Sequence, residues 1–139
     1  MAADAPLAIL VGVGFLGFHH VQLAMPMEGE RRAIAFYEGV LGIPKVEKPR
    51  HLEPRGGCWF ETDRVRVHLG VDKDFAPARK AHPAFYVKDL QDFRRRLVDS
   101  GVQVIDDEPL AGFERFYASD PFGNRLEFLE AIPSSEHTI

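Results

Sequence analysis

Two stretches of this chain repeat the same order of elements and carry polar residues at matching places. Internal duplication is therefore the strongest constraint on what it can fold into. In the first stretch, the strand-like segments FHHVQLAM and RVRVHLGV carry His20 and His68; in the second, AHPAFYV and GNRLEFLE carry His82 and Glu127. The paired residues stand 48 and 45 positions apart. Self-similarity at this period points to two copies of one supersecondary unit, and 139 residues are enough for both to share a core.

The order of elements can be followed along both halves. Phe18 to Met25 alternates as a strand, and Glu28 to Leu41 follows a helical period through Ala33, Ile34, Tyr37 and Leu41, with Gly42 closing the helix. The proline-bearing run from Pro44 to Pro54 predicts a loop or an irregular edge strand. Gly57–Thr62 and Arg64–Val71 predict two strands turning at Asp63. The second half repeats this order: a strand at His82–Val87, a helix capped by Asp89 with Leu90, Phe93 and Leu97 on one face and Gly101 after it, then strands at Val102–Ile105, Phe113–Ala118 and Arg125–Leu129. The last two strands are joined by the turn DPFGN at 120–124. Each half reads β-α-β-β-β, which makes the fold class α+β. The expected divisions are a leader at 1–17, one domain at 18–132 (module one 18–71, linker 72–81, module two 82–132) and a tail at 133–139, which sets His137 aside.

Composition removes several function classes. A net charge of −4 provides no basic field for nucleic acid, and the run Arg94-Arg95-Arg96 near Lys88 falls on a helix, where a solvated face is expected. The single cysteine, Cys58, excludes an intrachain disulfide framework and suits a reducing compartment; beside Trp59 and Phe60 it reads as buried filler. The apolar stretch from Ala5 to Phe18 falls short of the roughly 20 residues a membrane-spanning helix needs, and it lacks the basic start and cleavage pattern of a signal peptide. A cytoplasmic protein without a membrane partner is expected. Gly12, Gly14 and Gly17 spell a dinucleotide-binding fingerprint, but a strand ending at Pro26 follows where the phosphate-binding helix should start.

Because side chains alternate across a strand, each strand divides into two sets. Val21, Leu23 and Met25 oppose His20, Gln22 and Ala24; Val65, Val67, Leu69 and Val71 oppose Arg66, His68 and Gly70. Pro83, Phe85 and Val87 oppose His82, Ala84 and Tyr86; Leu126 and Phe128 oppose Arg125, Glu127 and Leu129. The apolar sets must cover the helices, which leaves all four candidate ligands on the other face. The same register puts His19 with Val21 and away from them. A lone strand histidine is usually a structural residue, and Glu127 has Arg125 and Arg66 as alternative partners. Four polar residues at matching places in two repeats argue instead for a shared site, and imidazole with carboxylate suits a divalent ion.

The segments HHVQL at 19–23, AFYEGVLGI at 35–43, HPAFYVKDL at 82–90 and, most specifically, DPFGNRLEFLE at 120–130 resemble the vicinal oxygen chelate superfamily. That superfamily includes glyoxalase I, extradiol dioxygenases, fosfomycin-resistance proteins and bleomycin-resistance proteins. The resemblance runs from Phe18 to Glu130. It implies two tandem βαβββ modules whose curved mixed sheet surrounds a cup-shaped cavity, with the helices outside. It also implies metal ligands at His20, His82 and Glu127. His68 departs from the pattern, since glyoxalase I carries a carboxylate at the comparable place. Three roles stay open for it: fourth ligand, proton-transfer residue or substrate contact.

The expected function is a glyoxalase-like, divalent-metal-dependent enzyme (a lyase, isomerase or group-transfer enzyme) that stabilises an oxyanion on a small substrate with adjacent oxygens. Mn, Fe, Zn, Ni and Co all suit such ligands. His68 and Glu127 are the expected catalytic groups, His68 because imidazole titrates near neutrality. Gln22, Arg66, Tyr86 and Trp59 are the expected substrate contacts, and Trp59 and Phe60 serve equally well as core. The rivals are a metal-free binder of a small molecule or antibiotic, of the bleomycin-resistance type, and an extradiol-type dioxygenase. A homodimer is expected from the resemblance, with the ligands drawn from one chain or from two.

Overall fold

The computed structural model describes residues 12–133; the start of the expected leader and the end of the tail, His137 included, lie outside them. The first module runs β1 (Val21–Met25), α1 (Glu30–Ala33) continuing in π-helical turns over Ile34–Val40, β2 (Lys45–Val46), a 3-10 segment at Arg50–Arg55, β3 (Cys58–Glu61) and β4 (Arg66–Val71). The second runs β5 (Ala84–Tyr86), α2 (Leu90–Asp99), β6 (Val104–Ile105), β7 (Phe113–Ser119) and β8 (Arg125–Ala131). Each forms a four-stranded mixed sheet, in the orders β1-β4-β3-β2 and β5-β8-β7-β6. In both sheets the first and last strands of the module pair in parallel. The fold is the duplicated α+β arrangement expected. Gly12, Gly14 and Gly17 lead into β1 and not into a helix.

The apolar sets go where alternation sends them. Leu23, Met25, Val67, Leu69, Leu126 and Phe128 are buried in one cluster with Ala33, Phe36, Tyr37, Leu41, Leu90 and Leu97 from the helices. Phe93 completes the α2 face against Phe128, with ring centroids 5.0 Å apart. Among the described residues, no helix is long and apolar enough to cross a membrane.

Three local expectations change. The first helix widens after Ala33: Leu41 N–H donates to Phe36 O, five residues back, at 2.9 Å. Phe36 and Tyr37, adjacent in this widened stretch, are both buried. Asp89 does not cap α2. It takes a left-handed conformation with φ 58°, and the Glu130 carboxylate of β8 accepts the N–H groups of Asp89 and Leu90 at 3.0 and 2.9 Å. Finally, the strands expected to begin at Phe18 and His82 begin at Val21 and Ala84, so His20 and His82 stand at the mouths of β1 and β5.

The two sheets share no ladder, so one protomer carries two open sheets and not one closed cup. A buried polar tie helps hold the modules together. Asp120 and Asn124 of the DPFGN turn are 5% and 1% exposed. Asp120 Oδ1 accepts the N–H groups of Phe122 and Asn124; its Oδ2 accepts the Asn124 amide and, across the modules, the Tyr37 hydroxyl at 2.7 Å. Asn124 Nδ2 also donates to Ala24 O in β1 at 2.8 Å, and its Oδ1 accepts Ala78 N–H.

Asp120→Ala strips four buried donors of their acceptor and is expected to lower unfolding free energy by about 3 kcal/mol in urea titrations. A change within error would mean that those donors find other partners. Burial first, then the charge and hydrogen bond of Asp120, push the Tyr37 phenol well above its ordinary value. An unfolded tyrosine titrates near pH 10, so this contribution is complete below about pH 10 and is lost as pH rises toward the higher folded value. Tyr37→Phe should be less stable at neutral pH by about 1–2 kcal/mol. It should also lose stability less steeply above about pH 10; parallel slopes for the two proteins would contradict the assignment.

Candidate functional site

In module two, backbone geometry aims His82 at Glu127. Pro83 has no N–H to give a ladder, but its carbonyl accepts Glu127 N–H at 3.0 Å, which fixes the approach of β5 to β8. His82 Nδ1 lies 2.8 Å from Lys80 O, an acceptor only, so Nδ1 carries the proton in this contact. In the neutral ring Nε2 then presents a lone pair, and it faces Glu127 Oε1 at 2.9 Å. Two lone pairs opposed at that distance require positive charge between them, either a second imidazole proton or a metal ion. Ligands bonded at about 2.0–2.2 Å and roughly at right angles lie about 3 Å apart, so the spacing suits neighbouring ligands on one ion. The Lys80 carbonyl supplies the outer hydrogen bond that commonly orients a metal-binding imidazole.

The other Glu127 oxygen is held by Arg115, whose Nη1 is 3.3 Å from Oε2 and donates to the Tyr117 hydroxyl at 2.9 Å. Arg115 is further anchored to Glu108 O through Nε and Nη2. Tyr117 stands opposite Glu127 in the β7–β8 register and meets the His82 ring edge-on, with centroids 5.3 Å apart. Glu127 is thus a buried carboxylate whose charge is matched on one side and whose other oxygen is aimed at an imidazole.

Module one has the same scaffold and different chemistry. Gln22 pairs with His68 in β1–β4 as Ala84 pairs with Glu127 in β5–β8, so His68 occupies the place of Glu127, and Trp59 that of Tyr117. His68 is 3% exposed and lies between two rings: Trp59 stacks on it at 4.0 Å and 4°, and His20 at 4.2 Å and 20°. Its Nε2 is 2.8 Å from Glu61 Oε2. Burial, and secondarily His20, hold His68 below the usual imidazole range against the opposing pull of Glu61. A neutral His68 therefore donates Nε2–H to Glu61 and keeps only Nδ1 as an acceptor. Arg66 lies 3.8 Å from Glu61 Oε1 and donates to His19 O.

Of the residues expected to gather, the structure brings together His20 with His68 and His82 with Glu127. Among the described residues no group of three or more His, Cys, Asp or Glu side chains is arranged to hold a metal ion, so the two pairs do not meet within one protomer. The faces that bear them are open: His20, Gln22 and Ala84 are exposed, and Tyr86 is 77% exposed on β5. Gln22 lies over Gly70, where an added Cβ would stand 2.5 Å from its Nε2. An open groove of about 500 Å³ runs beside them toward Asp72 and Lys73. Trp59 and Phe60 part company, Trp59 on the ligand face and Phe60 fully buried against Tyr37. Cys58 is 1% exposed, and burial, then Glu30, raise its thiol, which makes it an inert core residue. The arginine run is spent locally, Arg94 on Asp106 and Arg95 on Asp92.

Glu61, Arg115 and Tyr117 were missed in the sequence. Alternation alone could have placed Glu61 with Trp59, and counting back through the DPFGN turn could have placed Tyr117 opposite Glu127. Arg115 bears no such signal, because it reaches Glu127 diagonally.

A family model described as the Glyoxalase/Bleomycin resistance protein/Dioxygenase superfamily matches residues 17–128. Among solved structures, a glyoxalase family protein from Bacillus anthracis is 45% identical, covering 87% of this chain and 99% of its own, with a TM-score of 0.84. A glyoxalase family protein from Enterococcus faecalis is 20% identical over 84% of this chain and 98% of its own, with a TM-score of 0.66. The fosfomycin resistance protein FosX from Listeria monocytogenes is 13% identical over 91% of this chain and 100% of its own, with a TM-score of 0.69. The last two bear on the fold alone. No match was found among curated proteins.

Arg115→Met leaves the Glu127 carboxylate, 7% exposed, without its guanidinium. Unfolding free energy should fall by about 2 kcal/mol, less than for a fully buried pair. The double variant Arg115→Met/Glu127→Gln should lose about 1 kcal/mol less than the sum of the singles. Strict additivity in denaturant titrations would show that the two side chains are not coupled.

Proposed function

Because the chain belongs to the glyoxalase/bleomycin resistance protein/dioxygenase superfamily, we propose that it is a divalent-metal-dependent enzyme acting on a small substrate with adjacent oxygens. The observation that carries this reading is His82 Nε2 facing Glu127 Oε1 at 2.9 Å while Nδ1 is held by a backbone carbonyl. His82 and Glu127 would hold the ion, and His20 would join them. Since His20 stays with His68 in its own module, the third ligand comes from a second copy, whose open module-one face meets the open module-two face of the first. A divalent ion of the Mn, Fe, Zn, Ni or Co class bound there would act as a Lewis acid toward an oxyanion developing on the substrate.

The remaining groups divide the work. Arg115 holds the Glu127 carboxylate in place through Oε2. His68, neutral and clamped between Trp59 and His20, is suited to moving a proton through Nδ1; its Nε2 is committed to Glu61, which disfavours a role as fourth ligand. Gln22 would orient the substrate over Gly70, and Trp59 would supply apolar wall. Arg66 is already engaged by Glu61 and the His19 carbonyl, and Tyr86 stands apart, tilted toward Phe113. A lyase, isomerase or group-transfer reaction is compatible with this set.

A second reading, a metal-free small-molecule binder, is favoured by one observation: within a protomer the donors come in pairs and not in threes. Metal analysis separates the two. Wild-type protein purified without chelator should sediment as a dimer and retain about one ion per protomer. His20→Ala, His82→Ala and Glu127→Ala should each lose metal affinity by at least about tenfold while keeping the wild-type circular dichroism spectrum. Wild-type metal content in both module-two variants would end the metal reading. Loss in those two but not in His20→Ala would remove the cross-protomer ligand.

A further inference from the structure

The two modules differ in how they treat one equivalent arginine. Arg66 precedes His68 by two residues on β4, and Arg125 precedes Glu127 by two on β8, so both project from the ligand-bearing face at the same place in the repeat. In module one the residue opposite Arg66 in register is Glu61, and its carboxylate pairs with the arginine. In module two the residue opposite Arg125 is Ser119. The two modules share the cation and differ in its counter-charge.

The guanidinium of Arg125 lies over the Tyr117 ring, 4.5 Å from the centroid. Among the described residues no carboxylate comes within salt-bridge distance of it. Asp107 feels its field, but less than that of Arg115, which it approaches at 3.8 Å. A guanidinium placed over an aromatic face is positioned without using its N–H donors, and no side-chain hydrogen bond from Arg125 is formed among the described residues; a guanidinium fork can match two oxygens of one oxyanion. Tyr117, which lies under Arg125, also contacts His82, bonds Arg115 and stands opposite Glu127 in register, so Arg125 shares a neighbour with the His82–Glu127 pair and precedes Glu127 by two on the same face of β8.

We propose that Arg125 is the anion-binding residue of the site, taking a terminal carboxylate or phosphonate of the substrate next to the His82–Glu127 pair. The proposal deepens the function proposed above and rests on it only for the identity of the site. It also transfers to Arg125 the substrate contact expected of Arg66, which already pairs with Glu61. A substrate so held carries a negative group at one end and reacting oxygens near the imidazole–carboxylate pair.

The test is a side-chain NMR titration of full-length protein with methylphosphonate and, separately, with acetate, after chelator treatment and again with Zn²⁺ added. The Arg125 Nε–H signal should shift saturably with at least one of the two anions, whichever it is naming the oxyanion class, while Arg66 Nε–H stays still. Arg125→Gln should weaken that binding about tenfold, the worth of one charge-assisted contact. Ser119→Glu, which restores the module-one counter-charge at an exposed position, should do the same without touching the arginine. Binding that survives both substitutions, a response of Arg66 equal to that of Arg125, or saturation by neither anion would overturn the proposal. Anion binding seen only with Zn²⁺ and indifferent to Arg125→Gln would also overturn it, since the anion would then sit on the ion. Metal retention measured on the same samples keeps the two ideas apart: normal Zn²⁺ binding with anion affinity unchanged in both variants sinks the arginine and spares the metal site.

Discussion

A single buried carboxylate, Asp120, links the parts of this molecule that have to agree with one another. Its two oxygens close the DPFGN turn on themselves and accept the Tyr37 hydroxyl of the other module, while Asn124 reaches Ala24 of β1. The turn sets the β7–β8 register, and that register stands Tyr117 opposite Glu127. A polar network at 5% and 1% exposure is tolerable only when every donor is matched, so the turn has little freedom to relax. Core packing and the alignment of the candidate site are therefore joined through the same few hydrogen bonds.

Duplication followed by divergence explains the rest of the site. The paired places His68 and Glu127, Trp59 and Tyr117, Arg66 and Arg125, Glu61 and Ser119 occupy one scaffold twice. In module one the substitutions satisfy each other: an imidazole between two rings, a carboxylate bonded to it, an arginine beside that carboxylate. In module two the His82 imidazole faces a carboxylate oxygen, and the Arg125 guanidinium lies over the Tyr117 ring with no carboxylate within salt-bridge distance among the described residues. One half pairs its polar groups internally, and the other is the half on which the proposed site is built.

The open faces follow from the same economy of design. Each sheet buries one side against its helices, and neither sheet closes on the other within the protomer. His20, Gln22 and Ala84 stand exposed on those faces. In the proposed dimer a second copy would bring unlike modules face to face, by the self-complementary logic of a twofold interface.

Alternation in the sequence settled which residues share the ligand-bearing face, because the two-residue period of a strand is a local steric property that needs no knowledge of neighbours. The repeat settled the order of elements for the same reason, and the DPFGN turn announced itself through residues that only turns require. Tertiary structure decided the partners. It gave Glu61 to His68 and Arg115 to Glu127, left Arg125 without a carboxylate partner among the described residues where Arg66 has one, moved the cap of α2 from Asp89 to Glu130, and widened the first helix after Ala33. These choices depend on cross-strand register and on how far a long side chain reaches, distances fixed only when segments remote in sequence have packed. The four candidate ligands show the division most plainly: periodicity assembled them on one face, and three-dimensional packing pairs His20 with His68 and His82 with Glu127.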